Sequence, residues 1–281
     1  MKIALAIAPH DAQPSAFVVY RDRLDVTIPK AARLGYDGVE LALGRADDVQ
    51  PGEVKRLLAN HGMGVAAITS GRVFAEQRVW LTSADQATRE RAVVILIGLV
   101  DLAAELDVAR VNIGRVRGGI PDGDTTAAAE ARFVAGIREV ADHAGAIGVN
   151  LVLEPVNRYE LNYINSVDPD GIALVRRIGH PNVKLHPDVF HMNIEDASIA
   201  DSLVAAGPMV GYCHLADSNR WAPGQAHTDF PAILGALRTI GYDDWVSVEI
   251  LPYPSADEAA QQAIAFLRTL IPREVPAGAY A

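Results

Sequence analysis

Short runs of apolar residues, rich in β-branched side chains, recur along the whole chain and predict a series of buried strands. Eight runs are present: KIALAI from Lys2, GVELAL from Gly38, GVAAIT from Gly64, ARVNIG from Ala109, VNLVLE from Val149, VKLHPD from Val183, MVGYCH from Met209 and WVSVEI from Trp245. Between them lie longer stretches with helical spacing of apolar positions, several of which end in glycine, as helices commonly do. The pattern therefore predicts strands and helices in strict alternation.

Eight strand–helix units in 281 residues favour one closed (β/α)8 TIM barrel, an α/β fold, over an open doubly wound sheet. The first strand is not followed by the GxGxxG motif of a dinucleotide-binding sheet. No linker or low-complexity segment interrupts the pattern, so residues 1–281 are assigned to a single domain. Residues 271–281, IPREVPAGAYA, are predicted to form an irregular C-terminal tail.

The amino-acid composition limits which partners the protein is expected to bind and in which cellular compartment it is expected to lie. The net charge is -10 and the basic residues are scattered, which disfavours a nucleic-acid partner. The single cysteine, Cys213, excludes an internal disulfide framework and favours a reducing compartment. No run of about 18 apolar residues is present, and the apolar N-terminal run is too short for a signal peptide, so we expect a soluble cytoplasmic protein without a membrane partner.

Four residues that carry chemistry end consecutive predicted strands: Glu154, Asp188, His214 and Glu249. In a barrel the C-terminal ends of the strands form the active face, so these side chains should converge near the barrel axis. Three carboxylates so close would repel one another unless they were protonated or bridged by a cation, and an imidazole among them favours a divalent first-row metal. The sequence therefore predicts one divalent ion, with Mn²⁺ the first choice and Mg²⁺, Co²⁺ or Zn²⁺ as alternatives.

Each position also has a simpler interpretation. A single acidic residue that ends a strand is more often a helix N-cap or a partner of arginine than a ligand. His186 could be a core histidine or a donor beneath the metal, and the core interpretation is preferred. For Glu40 a structural ion pair is preferred, and Cys213 is interpreted as a small apolar residue.

A set of four segments, LEPVNRYE, DVFHMNIED, HLADSNRWAPGQAHTDF and VSVEI, resembles the xylose-isomerase-like sugar isomerase/epimerase barrels, most closely the ketose 3-epimerases of the tagatose/psicose type. The resemblance covers residues 151–250 in motif detail and the earlier half only in its strand–helix rhythm. It implies that Glu154, Asp188, His214 and Glu249 bind one divalent metal. It also implies that Glu160, His191 and Arg220 contact the hydroxyls and carbonyl of the substrate, and that Glu154 and Glu249 act as the acid/base pair.

The loop GRVRGG, after the fourth predicted strand, departs from that resemblance because it brings Arg115 and Arg117 towards the barrel mouth. Two arginines there would either clamp a phosphate or carboxylate of a substrate or pair with Asp122 and Asp124 at the surface. Surface pairing is the preferred interpretation.

The predicted function is that of a metal-dependent isomerase, which epimerises a ketose or keto-sugar by removing a proton next to the carbonyl through an enediolate. The alternative is a metal-dependent lyase or dehydratase acting on a keto-sugar, keto-glycoside or keto-inositol, since the same proton abstraction can lead to elimination. A nuclease that resembles endonuclease IV is a remote alternative, and a non-catalytic sugar-binding barrel is another. The expected partner is a small sugar, and we expect a homodimer or homotetramer.

Overall fold

The computed structural model describes residues 1–13 and 17–273 of the chain. Its strands are β1 (Lys2–Ala8), β2 (Tyr20–Arg21), β3 (Gly38–Ala42), β4 (Gly64–Thr69), β5 (Arg110–Ile113), β6 (Asn150–Leu153), β7 (Val183–Leu185), β8 (Cys213–His214) and β9 (Trp245–Val248). Its helices are α1 (Leu24–Leu34), α2 (Pro51–His61), α3 (Gln86–Glu105), α4 (Thr126–Ala146), α5 (Ile172–Ile178), α6 (Val189–Glu195), α7 (Ile199–Ala206), α8 (Phe230–Thr239) and α9 (Ala256–Leu270).

The strands form a parallel ring, which confirms the predicted (β/α)8 TIM barrel. Neighbouring strands follow the order β7-β6-β5-β4-β3-β1-β9-β8. The ring closes between β7 and β8 through two single bridges, Leu185 to Val210 and Asp188 to His214. The short strand β2 pairs with the end of β1 and was not predicted, because two residues are too few to give a periodic signal.

The predicted helices are present because their sequences combine one apolar face with clear end signals. Helix α2 begins at Pro51, where a missing backbone N–H costs nothing, and ends before Gly62, whose φ of 61° is left-handed. Gly35 ends α1 in the same way, with a φ of 99°. The strands are buried almost without interruption, as expected for a parallel sheet that is covered by helices.

Two further predictions from the sequence concern the C-terminal tail and membrane-spanning segments. Helix α9 ends at Leu270 and Ile271 is buried, while residues 274–281 of the predicted tail lie outside the described residues. Among the residues that are described, no helix is both long enough and apolar enough to cross a bilayer.

Candidate metal centre and active site

The four predicted metal ligands lie at one end of the barrel, where β6, β7, β8 and β9 terminate. One ligand atom from each of Glu154, Asp188, His214 and Glu249 lies within 4.8 Å of the others. The Nδ1 atom of His214 is 3.5 Å from Asp188 Oδ2, 3.7 Å from Glu249 Oε2 and 3.9 Å from Glu154 Oε1. Ion-to-ligand distances of about 2.0–2.3 Å separate opposite ligands by about 4 Å, so one ion matches this spacing.

Two atoms of this cluster are buried and unbonded within the described part of the chain: Asp188 Oδ2 and His214 Nδ1. The two oxygens of Asp188 have different environments. Its Oδ1 atom accepts a hydrogen bond of 2.8 Å from the backbone N–H of Phe190 and thereby caps α6. The N-cap interpretation is thus correct for one oxygen, and the other is free to bind a cation. An unbonded buried carboxylate oxygen is costly, which supports the fit of an ion to these four residues.

His214 is oriented by Glu40. Its Nε2 atom lies 2.9 Å from Glu40 Oε2, an oxygen that also accepts a hydrogen bond from the Tyr212 hydroxyl. If Nε2 carries the proton, Nδ1 keeps a lone pair that faces the three carboxylates, as is usual for a metal-bound histidine. Glu40 therefore does form a buried pair, but its partner belongs to the candidate metal centre, so the interpretation as a purely structural pair is too narrow.

Asn112, at the end of β5, also belongs to the site and was not predicted. Its Nδ2 atom donates to Glu154 Oε2 at 2.9 Å and lies 2.5 Å from His186 Nδ1. His186 is fully buried, its ring packs on that of His214 with 4.1 Å between centroids, and it can form an alternative ligand set with Glu154 and His214. His186 is thus buried, as the core interpretation predicted. It also contacts the site through Asn112, which that interpretation did not include. Asn112 could have been identified from the sequence, because it is a polar residue near the end of the apolar run ARVNIG.

The three residues with implied substrate roles surround the same cluster. His191 Nε2 lies 3.7 Å from Glu154 Oε1 and 3.8 Å from Asp188 Oδ2. The other nitrogen of this ring is 2.8 Å from Asn157 Nδ2, which also lies 3.2 Å from Glu160 Oε1. Asn157 therefore orients both His191 and Glu160, and it was not singled out although it lies within the segment LEPVNRYE.

Arg220 contacts the cluster from the loop after β8. Its guanidinium donates to Glu249 Oε2 at 2.6 Å and to Glu160 Oε1 at 3.3 Å. The ring centroids of Phe17 and Phe190 lie 3.9 and 4.7 Å from the guanidinium carbon, close enough for cation–π contact. Its φ of 62° is left-handed, a conformation that a non-glycine residue keeps only when the surrounding structure enforces it.

Burial is the largest single influence on the pKa values of these acids, and at one of them neighbouring charges together outweigh it. Burial raises the pKa of Glu154 to about 8, with further repulsion from Glu249 and Asp188, and burial likewise raises the pKa of Glu249. Burial also acts to raise the pKa of Asp188, but neighbouring imidazoles and the Arg220 guanidinium outweigh it and lower that pKa. Burial lowers the pKa of the His191 imidazole to about 3, which favours its neutral form. A cation at the cluster would lower the pKa values of the acids, because it replaces part of the lost hydration.

A cavity opens over these residues and is lined by Glu154, Glu160, His191, Arg220 and Glu249. The rest of its lining comes from residues at, or shortly after, the ends of β1, β3, β4 and β5 in the chain. These residues include Arg72, Glu76 and Arg115. All seven residues predicted for the metal or the substrate thus lie together at one end of the barrel, although their roles stay predictions.

The interpretation of Arg115 and Arg117 as surface ion pairs is wrong. Arg117 is fully buried and donates to the backbone carbonyls of Tyr163 and Ile164 at 2.9 and 2.7 Å. Asp124 pairs with Arg132 instead. Arg115 lines the cavity, with its guanidinium 5.9 Å from the ring centroid of Phe74.

The model of one protein family, described as the xylose isomerase-like TIM barrel, matches residues 28–270 of the chain. The chain is 34% identical to an L-ribulose 3-epimerase from Mesorhizobium japonicum, over 89% of this chain and 83% of that protein. It is 32% identical to a D-psicose 3-epimerase from Agrobacterium fabrum, over 79% and 77% of the two chains. A crystal structure of a D-psicose 3-epimerase in the presence of D-fructose superposes with a TM-score of 0.81 and 27% identity, over 96% of this chain and 99% of that one.

Proposed function

The chain belongs to the xylose isomerase-like TIM barrel family, and within it we propose that the protein is a divalent-metal-dependent epimerase of a ketose or keto-sugar. One observation carries the proposal: Glu154 and Glu249 both line the cavity while each directs one oxygen into the four-residue cluster. Two carboxylates placed so close are suited to remove a proton from carbon and to return one. The sequence relatives named above, which are ketose 3-epimerases, support the same reaction class.

The candidate ligands are Glu154, Asp188, His214 and Glu249, an oxygen-rich set with one imidazole that suits Mn²⁺, Mg²⁺, Co²⁺ or Zn²⁺. Mn²⁺ stays our first expectation. When bound, such an ion supplies Lewis-acid stabilisation of the negative charge that develops on the ketose oxygens.

The remaining chemistry belongs to side chains. One of Glu154 and Glu249 removes the proton next to the carbonyl, and the other delivers a proton to the opposite face, which inverts the stereocentre. Asn112 holds Glu154 through Oε2, and Arg220 holds Glu249 through Oε2. His191 and Arg220 orient the sugar oxygens with their N–H groups, and Glu160 accepts from a hydroxyl. Burial of Glu154, His191 and Arg220 limits the access of bulk water to the reacting carbon.

The test is proton exchange in D₂O. The Mn²⁺-loaded enzyme, incubated with neutral ketoses, ketose phosphates and keto-glycosides, should yield a new epimer with deuterium at the inverted carbon, detected by NMR. Glu249→Gln should lower this rate at least a hundredfold, since a general base is lost, whereas Glu139→Gln on the exposed face of α4 should not.

Two outcomes would contradict the proposal. Formation of an enone would assign the protein to the lyases instead. Full exchange in Glu249→Gln, with Mn²⁺ occupancy checked by elemental analysis, would remove that residue from the reaction.

A further inference from the structure

Arg115 differs from the other arginines of the cavity. Arg72 makes a two-point pair with Glu76 at 2.7 and 2.9 Å, and Arg220 is bonded to Glu249 and Glu160. Arg115 lines the same cavity, yet within residues 1–13 and 17–273 no carboxylate or carbonyl oxygen bonds its guanidinium. Its positive charge is held against the ring of Phe74 and is not neutralised there.

The carboxylates of the cavity wall are already engaged elsewhere. Glu76 is bonded to Arg72, and Glu160 to Arg220 and Asn157. Glu154 accepts from Asn112, and Glu249 accepts from Arg220. A partly buried guanidinium that lines a cavity without an anion of its own is suited to bind one, because its planar fork matches the oxygens of phosphate or carboxylate.

The backbone fixes where Arg115 lies relative to the metal centre. It follows Gly114, whose missing Cβ would meet Glu154 Oε2 at 2.6 Å, so the chain passes directly beside that carboxylate. Residues 115–117 form a single 3₁₀ turn, closed by a 2.9 Å bond from Gly118 N–H to Arg115 C=O. Arg117 anchors this turn through its bonds to backbone carbonyls.

Arg115 lies next to, and not within, the half of the barrel ring that carries the candidate ligands. The candidate ligands come from β6 to β9, and Arg115 comes from the other half, at the end of β5. A sugar whose carbonyl end lies at the metal centre would direct its far end towards that other half.

We propose that Arg115 is a specificity-determining residue, which binds an anionic group at the end of the ketose that is distant from the inverted carbon. The group is a phosphate ester or a carboxylate, since both offer paired oxygens to a guanidinium. The inference rests on the proposed epimerase function and narrows its substrate class. The overall charge of -10 repels anions, which makes a dedicated cation in the cavity the more necessary.

The first experiment compares kcat/KM for a neutral ketohexose, its 6-phosphate and the corresponding 6-carboxylate. At least one anionic sugar should be preferred over the neutral one, and the better of the two identifies the group. Arg115→Gln should reduce the ratio of anionic to neutral kcat/KM by about tenfold to a hundredfold, as expected for a lost charge-assisted hydrogen bond. Arg115→Lys should restore part of that ratio, and Arg176→Gln, an exposed arginine on α5 with the same change of charge, should leave it unaltered.

The second experiment measures binding without turnover. Calorimetry should give a dissociation constant at least tenfold lower for a hexitol 6-phosphate or a hexonate than for the uncharged hexitol, and Arg115→Gln should abolish the difference. Equal affinities in the unaltered protein, or an unchanged preference in Arg115→Gln, would overturn the role of Arg115. If neutral ketoses are epimerised while anionic ones are not favoured, the proposed function stands and this inference fails. If no ketose exchanges its proton, the proposed function itself fails, and calorimetry still decides the role of Arg115.

Discussion

At the residue scale, the candidate metal centre depends on side chains that use their two polar atoms differently. Asp188 caps α6 with one oxygen and directs the other into the cluster. His214 faces Glu40 with Nε2 and the three carboxylates with Nδ1. In both residues the bonded atom fixes the orientation of the free one. This is why the positions next to the ligands matter as much as the ligands themselves.

The contact between Glu40 and His214 gives a residue-scale prediction. Glu40→Gln removes the charge that makes His214 a stronger ligand, so the affinity for Mn²⁺ should fall about tenfold to a hundredfold, measured by calorimetry. Tyr212→Phe is the matched control, because it removes the other hydrogen bond to Glu40 Oε2 but keeps the charge. Its effect on the Mn²⁺ affinity should be smaller. An unchanged affinity in Glu40→Gln would show that the charge of Glu40 does not strengthen His214 as a ligand.

At the element scale, the loop between β8 and α8 is organised around one buried acid. The Asp217 carboxylate accepts backbone N–H bonds from Ser218, Gly224, Ala226 and Thr228, at 2.8 to 3.1 Å. The backbone carbonyl of the same residue accepts the N–H of Arg220 at 2.7 Å. Asp217 therefore holds the loop in the shape that gives Arg220 its left-handed conformation.

Asp217→Asn should destabilise the protein by about 2 kcal/mol near neutral pH. The reason is that both carboxylate oxygens accept hydrogen bonds, whereas the NH₂ group of an amide cannot accept one. Burial acts to raise the pKa of Asp217, but the backbone N–H bonds outweigh it and lower that pKa below its usual value. A lowered folded-state pKa stabilises the fold above the unfolded-state pKa of about 4, and this contribution is lost as the pH falls through the folded-state value. The difference in unfolding free energy between the two proteins should therefore shrink below about pH 4, measured by urea titration.

Asp229→Asn serves as the control for this loop, because Asp229 caps α8 and asparagine caps equally well. It should alter stability little at either pH. Asp217→Asn should also raise KM, since Arg220 loses its support. A variant with unchanged stability and KM would show that the loop does not depend on this acid.

Elements and site residues were not equally predictable from the sequence. Parallel strands are buried on both faces, so they stand out as apolar runs, and barrel topology then brings their ends together wherever the helices lie. For that reason the positions of Glu154, Asp188, His214 and Glu249 followed from order alone. Arg117 was misjudged because it bonds carbonyls in a loop 46 residues away, a contact that no local pattern encodes. Asn112 was missed because its partners, Glu154 and His186, follow the next two strands, 42 and 74 residues further along the chain.

At the scale of the whole molecule, the fold places like charges where they oppose folding. Glu154, Asp188 and Glu249 converge within one cluster, with Glu40 directly behind His214. Arg220 neutralises part of this charge, and burial raises the pKa of Glu154 to about 8 and also raises that of Glu249, which favours proton binding to both carboxyls. A divalent ion would compete with those protons, so its binding should be coupled to the stability of the entire barrel.

That coupling gives a thermal prediction. An ion that binds the folded chain at a hundred times its dissociation constant adds about 2.7 kcal/mol to the free energy of unfolding. For a chain of this length such a gain raises Tm by about 5 °C, measured by calorimetry with and without Mn²⁺. Asp188→Asn is the sharpest comparison, because asparagine preserves the cap of α6 and the surface charge elsewhere while removing one candidate ligand. It should fold without metal, at a lower Tm because the favourable contacts of the ionised carboxylate are lost, and it should lose most of the response to Mn²⁺. If Mn²⁺, Mg²⁺, Co²⁺ and Zn²⁺ all leave the Tm of the unaltered protein unchanged, or if Asp188→Asn responds as strongly, then these four side chains do not bind an ion together, and Arg220 and protons balance their charge.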